Sequence, residues 1–312
     1  MMSSGNAKNK CELIRGEAHK HGFDLIGIAP SRQLNEHKDN LISWLDRKMN
    51  ADMSFLSRNL DKRFDPGSLL PGAKSVIVTG LNYFPSSLQG EADTPVISKY
   101  AYGKDYHSVI KEKLSSLLEY IITLYPSAKG IICVDSSPVL EKAWAHEAGL
   151  GWIGKNSLLI NRGRGSFIFL GEIILDTELE YDTPIQDDNC GSCNLCKKAC
   201  PTGAINENRT INAGKCISWL TVENKIEIPG ELKGKLKNRI FGCDICQDVC
   251  PWNANLQPHN NPEFNIPDEV KRMSLEEWKN LSPDRFKKLF SRSPVIRTGY
   301  KKIANNIKCV AD

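Results

Sequence analysis

Apolar residues recur along this chain with spacings that switch repeatedly between helical and extended. Cys11–His21 reads as a short helix stopped by Gly22, and Phe23–Ala29 (FDLIGIA) as the strand that follows. Leu34–Lys48 has the amphipathic pattern of a surface helix, and Ser75–Leu81 (SVIVTGL) is a strongly apolar strand candidate. Between Tyr106 and Leu124, the residues Val109, Ile110, Leu114, Leu117, Leu118 and Ile121 fall at helical spacing. Lys129–Val134 (KGIICV) reads as another strand, and Pro138 suits the first turn of a helix running to about Gly149. Ser157–Asn161 and Phe167–Leu175 read as two strands joined by the turn Gly163-Arg164-Gly165. An acidic, proline-containing linker, Glu178–Asn189, leads into a cysteine-rich stretch from Cys190 to Pro251. The chain is then rich in Pro and Asn to Pro267, and basic and helical beyond it. This pattern predicts an α+β fold class: a domain over residues 1–180, a small module over 181–258 and a short helical segment over 259–312.

Composition narrows the class. Hydrophobic residues make up 40% and charged residues 25% of the 312, which is ordinary for a soluble globular protein. No apolar run approaches the roughly 18 residues of a membrane span, so no membrane partner is expected. Met1–Lys10 is polar and lacks an apolar signal core, so a cytoplasmic protein is expected. Eleven cysteines without a secretion signal point to metal or redox chemistry rather than disulfides. The net charge of +4 is unevenly placed. Glu231–Arg239 carries four basic residues and one acid, and Lys271–Asp312 eleven basic residues against four acids. Such segments suit an anionic partner, nucleic acid included; the plainer reading is a solvated helical face.

The cysteine spacing is the most specific signal. The first run is Cys190-x2-Cys193-x2-Cys196-x3-Cys200-Pro201, and the second is Cys243-x2-Cys246-x3-Cys250-Pro251. In two-cluster ferredoxins such a run gives three thiolates to one 4Fe–4S cluster and its last cysteine to the other. The second run is one cysteine short, and Cys216 between the runs is the candidate for the missing ligand. Cluster one is therefore expected on Cys190, Cys193, Cys196 and Cys250. Cluster two is expected on Cys200, Cys216, Cys243 and Cys246. Cys11, Cys133 and Cys309 are left over. The competing reading is zinc, which paired C-x2-C motifs also bind, but a triple run with a fourth cysteine and a proline, met twice, favours iron–sulfur. Clusters alone would make an electron carrier; the 180 residues ahead of them suggest that a terminal acceptor is housed there.

Five segments together resemble the epoxyqueuosine reductases: YGKDYHSVIKEKL (Tyr102–Leu114), CVDSSPVLEKAWAHEAGLGWIGKNSLLI (Cys133–Ile160), CGSCNLCKKACPTGAI (Cys190–Ile205), CISWLT (Cys216–Thr221) and GCDICQDVCPWN (Gly242–Asn253). The resemblance spans about residues 7 to 305. It implies a cobalamin-dependent enzyme with two 4Fe–4S clusters that reduces epoxyqueuosine in the wobble position of tRNA to queuosine. On that reading residues 1–180 are a cobalamin-binding catalytic domain of α/β type, related to that of reductive dehalogenases. Residues 181–258 are the ferredoxin-like module and 259–312 a short helical C-terminal segment; many members continue with a helical-repeat domain after the region matching Ser293–Ile307, where this chain is expected to end without one. An external low-potential donor such as flavodoxin or ferredoxin, and a monomeric state, are further expectations.

The resemblance also assigns residues. Asp135, at the end of an apolar strand, matches the proposed proton donor, and partial shielding would raise its carboxyl toward neutrality. The competing role for Asp135 is a cap on the helix expected from Pro138. Tyr106 and His107 match a DYH segment near the active site; His107 also reads as a structural histidine. Corrinoid contacts are implied at Arg63, Ser98, Asp135, Lys155, Asn156, Leu159, Ser166, Ser218, Cys243 and Asp244, with Lys155 equally well a surface charge. The rivals are a corrinoid reductive dehalogenase, disfavoured by the absence of a twin-arginine signal, and a plain ferredoxin-like electron carrier, which would bind no corrinoid.

Overall fold

The computed structural model describes residues 4–89 and 93–311, so Met1–Ser3 of the polar N-terminal stretch lie outside the described residues. Its centre is a four-stranded sheet. Across it run Leu25–Pro30, Ser75–Asn82, Ile168–Leu175 and Gly130–Cys133, in that order. Every neighbouring pair is antiparallel. The α+β reading stands, whereas the sheet is not of the parallel, crossover-built α/β type. Ser75–Asn82 is buried at all eight positions, which explains why its apolar residues do not alternate with exposed polar ones. Both faces of this antiparallel sheet are covered, a burial more usual for parallel sheets.

One face packs against the helices Ser4–Lys20 and Tyr106–Leu124, through Ile14, Ile110, Leu114, Leu117 and Ile173. Val109, Ile110, Leu114, Leu117 and Ile121 are buried as their spacing predicts. The other face packs against the helix Glu141–Glu147, through Val76, Val78, Ala143, Trp144 and Ile174. Gly27, Val78, Glu172 and Cys133 form one row across the sheet. Gly27 has a steric reason: a Cβ there would lie 2.1 Å from the Ala148 carbonyl oxygen, so only glycine lets the end of this helix rest on the sheet.

Two local expectations are corrected. The helix predicted from Pro138 begins at Glu141, so Asp135 is not its cap; Leu140 stands at the cap and offers no side-chain bond. The segments joined by Gly163–Gly165 do not pair as a hairpin. Leu159–Ile160 pairs instead with Trp152–Ile153, while Ile168–Leu175 joins the central sheet. The turn itself forms, closed by an Asn161–Gly165 bridge and by the Asn161 side chain, which accepts the N–H groups of Gly163 and Arg164.

The C-terminal helices share a core with the residues leading into the Tyr106 helix: Ile97, Ala101 and Tyr102 pack with Phe241, Trp278, Phe290, Val295 and Ile303. A short parallel pairing of Val96–Ile97 with Arg239–Phe241 lies beside it. Among the described residues no helix is long and apolar enough to cross a membrane.

Candidate active site and cluster-binding region

Asp105 caps the Tyr106–Leu124 helix by accepting the His107 main-chain N–H. The same carboxylate oxygen lies 2.6 Å from His107 Nδ1. On the other side of the ring, His107 Nε2 lies 2.9 Å from Asp135 Oδ2. Both partners are carboxylates and accept only, so an imidazole bonded to both must carry a proton on each nitrogen. The Asp135 hydrogen bond, with that of Asp105, accordingly raises the His107 pKa against the effect of burial. Tyr106 stacks on His107 and on Phe169, with ring centroids 4.1 Å and 4.3 Å apart, and its hydroxyl reaches Asp135.

Asp135 departs from the raised pKa expected of it. Enclosure pushes its carboxyl up, but the His107 hydrogen bond and charge, the Tyr106 hydroxyl and the Arg297 charge more than offset this and hold it below the usual carboxylate range. The proton of the pair therefore rests on His107. The side chain of Asp135 is about half exposed, at 53%, and its backbone stands at φ +48°.

Three acidic residues at this site were not singled out from sequence. Asp105 had a signal, as an Asp directly ahead of a helical period. Glu172 had another, as the lone charge in the apolar strand IFLGEIIL. Glu141 had none that spacing reveals. Glu172 is fully buried, and neither carboxyl oxygen has a hydrogen-bond partner among the described residues. Burial, then the charges of Glu141 and Asp135, push its pKa well up. Glu141 Oε1 accepts the Asp135 main-chain N–H at 2.5 Å, and burial with the Asp135 charge pushes the Glu141 carboxyl up to about 7.

The eight motif cysteines are free thiols and fall into two neighbourhoods. Cys250 lies near Cys190, Cys193 and Cys196. Cys216 lies near Cys200, Cys243 near Cys216, and Cys246 near both Cys243 and Cys216. A single tetrahedral zinc ion, with Zn–S about 2.3 Å, would bring its sulfurs to within about 4 Å of one another. Among the described residues no three of these thiols gather within 4.8 Å.

The expected corrinoid contacts divide. Ser98 donates its hydroxyl to Asp244, both are buried, and Cys243 adjoins them. The cavity beside this pair holds only 140 Å³, room for the edge of a large ring at most. Asn156 is buried with its amide nitrogen unpaired among the described residues, a donor free for a ligand acceptor. Leu159 is buried in the core beneath the Glu141 helix, and Ser218 stands in the helix that follows Cys216, where its N–H meets the Cys216 sulfur. Three others are engaged elsewhere. Lys155 Nζ donates to the Gly191 and Cys193 carbonyls and to Asn194 Oδ1, which uses all three of its protons on the first cysteine loop. Ser166 is buried and accepts from Asn253 and Gln247, tying the sheet to the cysteine module. Arg63 donates to the Arg58 and Phe55 carbonyls of its own loop.

Residues 63–136 match the family model described as Epoxyqueuosine reductase QueG, DUF1730, and residues 189–253 match a 4Fe-4S double cluster binding domain. An epoxyqueuosine reductase of Cellulophaga algicola is 46% identical over 97% of this chain and 98% of its own length. That of Escherichia coli is 38% identical over 92% of this chain and 76% of its own. A crystal structure of epoxyqueuosine reductase with a tRNA-Tyr epoxyqueuosine-modified stem loop superposes with a TM-score of 0.90 at 32% identity, covering 97% of this chain and 81% of that one. The Bacillus subtilis enzyme, solved with its catalytic aspartate loop swung out of the active site, superposes with a TM-score of 0.89 at 30% identity and the same coverage. With likeness of this degree over almost its whole length, the chain belongs to the epoxyqueuosine reductase family.

Proposed function

We propose that this protein is an oxidoreductase that converts epoxyqueuosine to queuosine in the anticodon loop of tRNA. The observation that carries the reading is His107, held as a cation between Asp105 and Asp135 in a chain of this family. Converting an epoxide to an alkene breaks both C–O bonds and releases the oxygen as water, consuming two electrons and two protons. Oxygen is a poor leaving group unless protonated, and the Asp135–His107 pair holds a proton at a half-exposed position. Asp135, the group facing solvent, is the last carrier: ionised at rest, it takes the proton held on His107 and passes it to the departing oxygen. Tyr106 fixes the ring plane of His107 by stacking.

The thiols assigned above would hold two 4Fe–4S clusters, which would supply one-electron transfer from a low-potential donor such as flavodoxin or ferredoxin. Bound cobalamin would supply the low-potential cobalt centre that passes those electrons to the epoxide carbon. Ser98, Asn156, Leu159, Ser218, Cys243 and Asp244 are the residues that would hold it. Residues 1–180 form the cobalamin-binding part, 181–258 the cluster module and 259–312 its helical support. The protein acts in the cytoplasm as a monomer.

The test is anaerobic turnover with reconstituted clusters, cobalamin and a strong reductant on epoxyqueuosine-containing tRNA, followed by nucleoside mass analysis. Loss of one oxygen, dependent on cobalamin, is expected. No conversion by protein with full iron and bound cobalamin would refute the substrate assignment.

An open groove of about 1300 Å³ gathers basic residues from two distant segments: Lys225, Lys233, Arg297, Lys301, Lys302 and Lys308. Glu223 and Glu227 pair with Arg297 and Lys233, while Lys225, Lys301 and Lys308 have no ion-pair partner among the described residues. Arg297, which lines this groove, also contributes to holding the Asp135 carboxyl down. We assign the groove to the tRNA backbone. The double variant Lys301→Ala, Lys308→Ala should bind tRNA more weakly, with the slope of log K against log salt shallower by about 1 to 2. An unchanged slope would place the RNA elsewhere.

A further inference from the structure

The loop that carries Asp135 has few anchors. Asp135 stands at φ +48°, a left-handed conformation that Asp tolerates but that must be held by its surroundings. The helix that ends the loop has no side-chain cap at Leu140 to fix its entry. The Asp135 main-chain N–H makes one hydrogen bond, to Glu141 Oε1 at 2.5 Å, and bonds to a charged acceptor are short and strong. Glu141 is itself fixed, as the first residue of the helix that Gly27 admits onto the sheet. On the sheet row beneath that helix lies Glu172, wholly buried and with both oxygens unpaired among the described residues.

We propose that Glu141 is a positioning residue for Asp135. Its carboxylate grips the Asp135 main-chain N–H and keeps that side chain turned to His107, while Glu172 stays protonated and leaves the single negative charge of the pair on Glu141. The inference rests on the reading of Asp135 given under the proposed function.

Two carboxyls sharing a dry site do not both ionise. The charge settles on the one with a donor and cations near it. Glu141 has the Asp135 N–H and the charges of Lys142 and His107; Glu172 meets the Glu141 and Asp135 charges, Cys133 on one flanking strand and apolar Val78 on the other. The raised Glu141 carboxyl, at about 7, makes the grip depend on pH. Above that value Glu141 is ionised and the loop is held. As pH falls through it, Glu141 takes a proton and the bond weakens to a neutral one.

The experiment compares reconstituted holoenzymes. Glu141→Ala should lower kcat about 10- to 100-fold, the scale of a displaced reacting group. KM for tRNA, iron content and cobalamin binding should stay those of the wild type. Glu141→Gln keeps a neutral acceptor oxygen, so its kcat should lie between those of wild type and Glu141→Ala, near the value to which the wild type falls on the acid side, and the loss of rate near pH 7 should vanish from its kcat profile. Should Glu141→Ala fail to fold, the Gln profile decides alone. A wild-type-like acid limb in Glu141→Gln, or a kcat for Glu141→Ala equal to that of wild type, would overturn the proposal. Failure of the wild type itself to turn over would instead reject the substrate assignment.

Discussion

Asp135→Asn holoenzyme is expected to lose about 100- to 10,000-fold in the rate of epoxide reduction, the range that a positioned general acid contributes. Its iron, sulfide and bound cobalamin should stay at wild-type levels, because Asp135 stands on a half-exposed loop outside every apolar core cluster. The amide matches the carboxylate in shape but holds neither the negative charge nor the transferable proton. It also removes the partner that contributes most to raising the His107 pKa. The pH profile tests the second effect separately. In the wild type the rate should fall as pH rises through the raised His107 value, since the proton is then lost from the pair. In the variant that fall should move to lower pH, because Asp105 alone faces the imidazolium. Single-turnover rates from nucleoside masses between pH 6 and 9 would measure both. A rate within threefold of wild type across this range would remove Asp135 from proton delivery.

What the sequence made legible followed from short-range regularity. The helical spacing of Val109, Ile110, Leu114, Leu117 and Ile121 is a local property, and the buried face it predicts is the one observed. Cysteine spacing is local within each run, and the two thiol neighbourhoods follow from it once Cys216 joins Cys243 and Cys246. Errors arose where distant residues decide. A glycine turn signals a hairpin, but Ile168–Leu175 finds its partner 86 to 100 residues upstream, where an eight-residue strand pairs along its whole length. Lys155 reads equally as a corrinoid contact or a surface charge, and its bonds to the carbonyls of Gly191 and Cys193 become visible only in the fold. The Asp135 pKa depended on His107, 28 residues away; enclosure alone would have raised it. Glu172 was visible as an acid in an apolar strand, but its meaning required Glu141 to lie above it.

Cys216→Ala should remove one cluster and leave the other, because Cys216 is the one motif ligand that belongs to neither cysteine run. Its sulfur meets the N–H groups of Ser218 and Trp219 at the start of the helix Ile217–Val222. Burial pushes this thiol up on balance, and these N–H donors work against it in favour of the thiolate that binds iron. Iron and acid-labile sulfide should drop by about half, from two 4Fe–4S clusters toward one. Turnover with a chemical reductant should fall with it, since the cluster assigned to Cys190, Cys193, Cys196 and Cys250 would lose its neighbour. Cys309 is the rival ligand, because it packs in the same apolar cluster as Cys243. It lies in the helix Tyr300–Ala311, far along the chain from either run. Cys309→Ala should keep full iron while Cys216→Ala does not. The reverse result would transfer the eighth ligand to the C-terminal helix, which would then anchor the cluster module directly instead of only packing against it.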